Sequence, residues 1–529
     1  MASPLVIKET TIFDSLKRVL VPLQTVIIDG GRVSAVASQV GDYPAGARVI
    51  DGRGKFVVPG LVDAHVHLVH RIKRADLSGI EMLPHFLAAG VTSVRCAGDR
   101  TEGQAVVANY AETFPHSSPR IFLASDPIDG IPFHNDLGIN VADPNRIPEV
   151  LDKMAADLAG RKLSTLKLYV GIARTVAQKA IAEGRGRGMT ITAHLPDGPP
   201  INPSYRAEHA IDDGLDCLEH ITSVLQGGTQ PSEVVVAKIK QRGVLVDPTL
   251  VVFRNMVLLS DLPEIENHPD NDRVNPKLKA HWTDAVQEFR QAPLDQRMKT
   301  FADFQQATRS LHEAGVTLLV GSDTPEPFCP PGWGLHQELE LLVASGVPAA
   351  VALSAATHEN ARAVKMDAEL GSVTVGKIAD LVILEADPTT DIRNTRRIHT
   401  VIHDGVEVFS ADHGGAIYAI RPDGRLHWYK DNNRSGGNGP NAQTGWAPSS
   451  GSQISFGWEI FERVFYGGDG IIYAVSPKGR LLWYKDDNRS GGNGPNAQTG
   501  WAPGSGSQIS FGWEIFERVF YGGWDNALQ

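Results

Sequence analysis

Between residues 56 and 365 the chain alternates eight apolar, strand-like runs with helix-like stretches, and this rhythm restricts the fold more than any other feature. The runs are FVVPGLVDAHVH, VTSVRCAG, RIFLAS, STLKLYV, MTITAHL, CLEHIT, VLVDPTLVVF and VTLLVGSD. Most follow segments such as IEMLPHFLAAG and PEVLDKMAADLAG, several of which stop at a glycine, the residue that ends a helix at least steric cost. Eight β/α units of this size predict a (β/α)8 TIM-type barrel, in which active residues gather at the C-terminal ends of the strands. An open doubly wound sheet is the competing architecture, and the count of eight favours the barrel.

The two flanks differ from this region. Residues 1–55 read as short strands and turns, with LVIKETTIF and TVIIDGGRVSAVA clustering β-branched residues between glycines. From Asp412 onward the chain changes character. Seven of the nine tryptophans lie there, and from 413 to 529 ten Lys/Arg balance ten Asp/Glu, so the whole formal charge of −11 sits in the earlier part. That acidity argues against a general nucleic-acid or membrane-surface binder. Trp428, Trp446 and Trp458 recur as Trp483, Trp501 and Trp513, a period of 55, and across 428–468 against 483–523 only Asn432/Asp487 and Ser449/Gly504 differ. Residues 412–529 therefore form two tandem repeats, and a period near 50 with strand and glycine punctuation predicts propeller blades or a similar β array. No apolar run approaches the roughly 20 residues of a membrane span. The start MASPLVIKETTIFDS carries no secretory pattern, and Cys96, Cys217 and Cys329 suggest no disulfide framework, so a cytoplasmic setting is expected.

Polar residues punctuate the strand ends in a way that suggests chemistry. His65 and His67 lie two apart at the end of the first strand, and residues i and i+2 of a strand share a face. Two imidazoles can thus meet one metal ion, and imidazole suits zinc and related ions. A lone His-x-His more often packs or lies on the surface. The other strand ends change its weight: Lys167 stands in the apolar TLKLYV, where an unpaired ammonium is costly, MTITAHL ends in His194, CLEHIT holds His220, and LLVGSDT holds Asp323. Further candidates surround them. Tyr169 shares a strand face with Lys167, His336 in GWGLHQELELL follows the last strand, and His134 lies in the loop GIPFHNDLG; each is a candidate substrate contact. Arg95 is better read as one half of a local ion pair, and Cys96 and Cys217 as small buried residues.

PGLVDAHVHL, the strand-borne Lys167, His194, LEHIT and VGSDT together resemble the amidohydrolase superfamily with a two-metal site, and the likeness runs over about 5–410, including LSAATHENARAV and LGSVTVGKIADLVILEADP. Within the superfamily it is similar to the imidazolonepropionase-like and prolidase-like branch. The resemblance implies that residues 1–55 and 366–411 form a small flanking β-sandwich domain beside the barrel at 56–365. It implies two divalent metal ions, zinc foremost, with manganese, iron or cobalt as alternatives. His65, His67 and Asp323 would hold one, His194 and His220 the second, and Lys167, carboxylated by CO2, would bridge them. Asp323 and Lys167 would be the catalytic residues, a bridging hydroxide the nucleophile, and the C–N bond of a small-molecule amide, cyclic amide or dipeptide-like compound the target. One departure stands out: LPDGPPINPSYRAEHAIDDGLDCLE between His194 and His220 is longer and richer in proline than in dipeptidases, which implies a reshaped substrate mouth.

The tail resembles the tachylectin-2-like β-propeller repeat family, on IYAI-x-PDG, LHWY and the pattern W-x11-W-x-IFERVF. AIYAIRPDGRLHWYKD and GIIYAVSPKGRLLWYKD read as hairpins and QISFGWEIFERVFYGG as one more strand pair. The resemblance implies glycan binding, with the aromatic faces either stacking on sugar or filling blade cores. Two blades cannot close a propeller, so self-assembly through 412–529, and with it a homo-oligomer, is expected. A lactone or ester hydrolase on the same site, and a carbohydrate-binding protein with an inactive barrel, are the alternative functions.

Overall fold

The computed structural model describes residues 4–38, 43–130, 137–196, 205–287 and 292–410, and the backbone of seven strands between 416 and 510. It divides into two units, Met1–Glu407 and Val408–Gln529. His134 lies outside the described residues.

The first unit opens with β1 (Leu5–Asp14), β2 (Val19–Asp29), β3 (Arg32–Ala37), β4 (Arg48–Asp51) and β5 (Phe56–Pro59). Alternate residues bury one face: Leu5, Ile7, Val26, Ile28 and Val57 meet Leu381, Ile383 and Ile402 in one core, as the period of two requires. Asp29 pairs with Arg32 across Gly30 and Gly31, both at positive φ, which is the two-residue hairpin turn whose twist matches the strands it joins.

The barrel strands are β6 (Leu61–Val66), β7 (Val91–Cys96), β8 (Arg120–Ala124), β11 (Leu163–Leu168), β12 (Thr190–Ala193), β13 (Cys217–Glu219) and β14 (Leu245–Asp247), hydrogen-bonded in that order, with the short β9 (Ile128–Asp129) beside β11 and β10 (Ile139–Asn140) paired to β9. The pairings along the path are parallel. The eighth segment, VTLLVGSD, completes the ring through hydrogen bonds rather than a regular ladder. Leu318 bridges Val246 on one side, while Val320 O accepts Ala64 N and Asp323 N donates to His65 O on the other. Asn360 fastens this seam: its amide donates to Val62 O and Val320 O, and its oxygen accepts Val320 N.

Two of the expected runs divide differently. FVVPGLVDAHVH is two strands: β5 joins the flanking sheet, the chain turns at Gly60, where a Cβ would collide with the Thr92 side chain, and β6 enters the barrel. VLVDPTLVVF is strand only to Asp247; Leu250 starts a helix whose first amides, Leu250 N and Val251 N, are held by the buried Glu338 carboxylate. The chain returns to the flanking sheet with β15 (Leu381–Leu384), β16 (Ile398–His403) and β17 (Val406–Ser410), giving the order β17-β16-β15-β5-β1-β2-β3, with β4 also paired to β1. Among the described residues no helix is long and apolar enough to cross a membrane.

In the second unit β18 (Ala416–Ile420), β19 (Leu426–Lys430) and β20 (Ser452–Ser455) form an antiparallel sheet. A second antiparallel sheet runs β21 (Arg463–Tyr466), β22 (Ile471–Val475), β23 (Leu481–Lys485) and β24 (Ser507–Ser510). The two expected hairpins are present. The expected pairing within QISFGWEIFERVFYGG is not: its halves, β20 and β21, belong to different sheets, so each sheet is offset from the sequence repeat.

Asn360→Ala removes three hydrogen bonds at the barrel seam and leaves buried backbone groups unpaired, so unfolding free energy falls by about 2–4 kcal/mol. Urea denaturation monitored by circular dichroism measures this; a loss below about 0.5 kcal/mol would mean the seam holds without it.

Candidate metal centre

β6 is buried along its whole length, so its inward polar residues must find partners inside the barrel. Asp63 accepts His65 N at 3.2 Å and Ser322 N at 3.0 Å, and takes the Ser322 hydroxyl at 2.6 Å, which ties β6 to the residue before Asp323. His65 Nδ1 lies 2.8 Å from Glu219 Oε2, turning Nε2 toward Asp323 Oδ1 at 3.4 Å. His67 Nδ1 lies 2.8 Å from Gly98 O, turning its Nε2 to the same Asp323 oxygen at 3.1 Å. Gly98 must be glycine: its φ is +121°, and a Cβ would stand 2.9 Å from the Lys167 stem. Asp99 then accepts Leu68 N, Val69 N and His70 N and fixes the turn that follows His67.

The second half of the cluster comes from β12, β13 and β14. The His194 ring lies 4.3 Å from that of His220, and the Tyr169 ring stands edge-on to His194 at 5.2 Å. His220 Nδ1 is 2.7 Å from Thr249 Oγ1 and 3.9 Å from Asp323 Oδ2. His220, Thr249 and Asp323 all hold positive φ (65°, 46° and 55°), a sparsely populated region for residues with a Cβ, and the three strained positions converge on one point. Lys167 is 1 % exposed on β11, beside Thr192 of β12.

Electrostatics separate these groups. Burial pushes His65 down to about 4 and keeps it neutral, against the pull of Asp323 and Glu219. Burial also opposes charge on His67, but the Asp323 carboxylate beside it and the Asp99 carboxylate outweigh it and raise His67 to about 9. Asp323 is buried too, yet the surrounding imidazoles hold its carboxyl far below the usual range. Burial lowers Lys167 and His220. Behind His65, Arg95 Nη2 pairs with Glu219 Oε1 at 2.6 Å, which neutralises that carboxylate and keeps it ionised. Burial and the neighbouring Glu219 raise Asp247 well above a normal carboxylate, and neither of its oxygens has a hydrogen-bond partner.

His65, His67 and Asp323 place one ligand atom each within 4.8 Å of one another, and so do His65, Glu219 and Asp247. The first group fits a divalent cation. His65 Nε2 and Asp323 Oδ1 are buried, face each other and have no hydrogen-bond partner, and imidazole with carboxylate is a donor set for zinc and its neighbours. In the second group Glu219 already has its cation in Arg95, and its role toward His65 is orientation.

The structure therefore brings His65, His67, Lys167, His194, His220 and Asp323 to one mouth of the barrel, with Tyr169 beside them. It does not bring His336 there. That ring is fully buried between Thr395 Oγ1 and Ala89 O, both at 2.9 Å, because the helix Trp333–Ala344 packs against the loop before β7. Arg95 is the ion-pair residue expected. Glu219, Asp247 and Asp63 went unnoticed in the sequence, although each is an acid inside an apolar strand run, the same signal that marks His194 and Asp323.

A parallel barrel whose mouth gathers imidazoles and a carboxylate around unpaired ligand atoms defines a metal-dependent hydrolase architecture. The amidohydrolase family model matches residues 56–408, and a Tachylectin model matches 394–526. The chain belongs to the amidohydrolase family and is a metal-dependent hydrolase of carbon–nitrogen bonds. It is 23 % identical over 406 residues to a dihydroorotase of Elusimicrobium minutum, covering 69 % of this chain and 84 % of that protein. It is 27 % identical over 169 residues to an imidazolonepropionase of Ectopseudomonas mendocina, covering 30 % of this chain and 40 % of the relative. The fold is similar to that of a Xaa-Pro dipeptidase solved with methionine in its active site, with a TM-score of 0.60 and 20 % identity, over 77 % of this chain and 99 % of the other.

Glu219→Gln keeps the shape and loses the charge that holds His65 Nδ1–H. Divalent-metal affinity falls about 10- to 100-fold, read by competition titration against a chromogenic chelator. Unchanged affinity in a folded variant would show that Glu219 does not orient this ligand.

Proposed function

We propose that this chain hydrolyses the C–N bond of a small-molecule amide, a cyclic amide or dipeptide-like compound, on a binuclear divalent-metal centre. His65, His67 and Asp323 would hold one ion and His194 and His220 the other, and Lys167, as its carboxylate, would supply a ligand to both. The observation that carries this reading is the convergence of unpaired His65 Nε2 and Asp323 Oδ1 with the His194–His220 pair at one barrel mouth. When bound, such ions lower the pKa of water and polarise the scissile carbonyl.

The protein groups have separate tasks. Asp323, ionised and on a strained backbone, accepts the proton of the attacking water and passes it to the leaving nitrogen. Glu219 and Gly98 O hold the outer nitrogens of His65 and His67, so both rings present Nε2 inward without reorganising. Lys167, buried and with its pKa lowered, would offer the neutral amine that adds CO2 and releases one proton to solvent, leaving an anion where an ammonium would be costly. Tyr169, edge-on to His194, would contact the substrate. The similar proteins, a dihydroorotase, an imidazolonepropionase and a Xaa-Pro dipeptidase, support a small-molecule C–N substrate.

Metal analysis after zinc or manganese supplementation should give about two equivalents in the wild-type chain and at most one in Lys167→Ala. Binding well below one equivalent in the wild type would sink the reading. A panel of cyclic amides, dipeptides, N-acyl amino acids and lactones should show turnover confined to C–N substrates and lost by at least about 10³-fold in Asp323→Asn; hydrolysis of lactones alone would overturn the bond assignment.

A further inference from the structure

Glu338 lies on the helix Trp333–Ala344, is fully buried, and takes no part in the chemistry described above. Its two oxygens reach across to another element. Oε1 accepts Leu250 N at 3.0 Å and Oε2 accepts Val251 N at 2.6 Å. The neighbouring Gln337 grips the same stretch further on: its Oε1 accepts Asn255 Nδ2 at 2.9 Å and Arg254 Nη2 at 2.6 Å. Asn255 Nδ2 also donates to Phe328 O at 2.7 Å. Residues 250–258 are therefore fastened both to this helix and to the loop that precedes it.

What this stretch carries is the support of His220. Thr249 is the cap residue of the helix that begins at Leu250. A threonine in that place ordinarily turns its hydroxyl to the first free amides of its own helix. Here it makes no such bond. Glu338, from a different helix, takes the amides instead, and Thr249 Oγ1 lies 2.7 Å from His220 Nδ1. Thr249 also holds φ 46° and ψ 48°, a left-handed conformation that a β-branched residue keeps only where its surroundings impose it. Phe253, on the same stretch, stands edge-on to the His220 ring at 6.0 Å. The backbone of His220 is set separately, by His220 N on Asp247 O and Ile221 N on Pro248 O. Its ring thus depends on Thr249, and Thr249 is free to hold it because its capping duty has passed to Glu338.

We propose that Glu338 is a positioning residue for the second ion, acting through Thr249 on His220, an assignment that rests on the two-ion reading above. It caps the helix from outside, which releases the Thr249 hydroxyl to fix the angle of the His220 imidazole. Glutamine at 338 has the same shape but one acceptor oxygen, and its amide group faces one of the two backbone N–H groups with a donor. Thr249 then turns back to cap its own helix, and the His220 ring loses its hold.

Two measurements on the full-length chain test this. A crystal structure of metal-free Glu338→Gln should show Thr249 Oγ1 on Val251 N or Val252 N and more than about 3.5 Å from His220 Nδ1. Thr249 still bonded to His220 in that variant would overturn the proposal. The second measurement is cobalt(II) titration against a competing chelator, read by visible absorption, with the equivalent lost in His194→Ala taken as the one bound by His194 and His220. Glu338→Gln should weaken that equivalent about 10- to 100-fold and leave the other within about threefold. Thr249→Val should weaken it by as much, and the double variant by no more than either alone, because both act through one contact. Equal weakening of both ions, or losses that multiply in the double variant, would mark a general structural role and reject the assignment. Where Glu338→Gln does not fold, Glu338→Asp, too short to reach both amides, is taken through the same measurements. A wild-type chain that binds a single ion refutes the two-ion reading, and the crystal comparison still decides whether Glu338 governs Thr249.

Discussion

The hydrogen bonds between β6 and the eighth barrel segment govern everything at the barrel mouth. Ala64 N reaches Val320 O, Asp323 N reaches His65 O, and His67 N reaches Thr324 O, so the last segment is pinned to the first strand residue by residue. That pinning puts Asp323 Oδ1 within 3.4 Å of one imidazole nitrogen and 3.1 Å of the other. Asp63 and Asn360 reinforce the seam from both sides. A slip of one residue would turn Asp323 away and point a neighbour inward, because successive residues of an extended chain face opposite ways. The cluster is therefore a product of register, not of local sequence.

Behind the inward-facing ligands lies a ring of groups that face them. Glu219, held by Arg95, sets His65; Gly98 O sets His67; Thr249 meets His220. Glu219 and Gly98 O only accept, so each holds the proton on Nδ1 and leaves Nε2 facing the mouth, while the Thr249 hydroxyl holds the His220 ring in place. The cost appears as strain at His220, Thr249 and Asp323 and as an unpaired Asp247, all at one end of the barrel. Such violations concentrate where function requires them while the remainder of the fold obeys the ordinary rules.

Much of this was legible in the sequence because the barrel writes its chemistry at strand ends. His65, His67, Lys167, His194, His220 and Asp323 each interrupt or end an apolar run, and all six meet. Glu219 and Asp247 obey the same rule, but each stands beside a more conspicuous feature, His220 in one case and a Pro-Thr turn in the other. His336 misled for a physical reason: a histidine at a helix start after the last strand can turn to either end of the barrel, and hydrogen bonds to Ala89 and Thr395, distant in sequence, decide which. The division at Gly60 was equally invisible, since β5 and β6 form one apolar run whose two halves differ only in what they pair with. In the tail the repeat was plain, but the offset between repeat and sheet was not, because a repeat unit read from sequence has no fixed starting point.

The flanking sheet joins strands from both ends of the hydrolase domain: β5 lies between β1 and β15, and Pro59 is paired with Leu381. During synthesis β5 leaves the ribosome long before β15 exists, and the barrel seam likewise waits for Asn360. At about 5–20 residues per second, the edge of β5 stays open for some tens of seconds in each new chain. The nascent chain therefore passes through a state with a half-built sheet whose open edge the finished fold no longer shows.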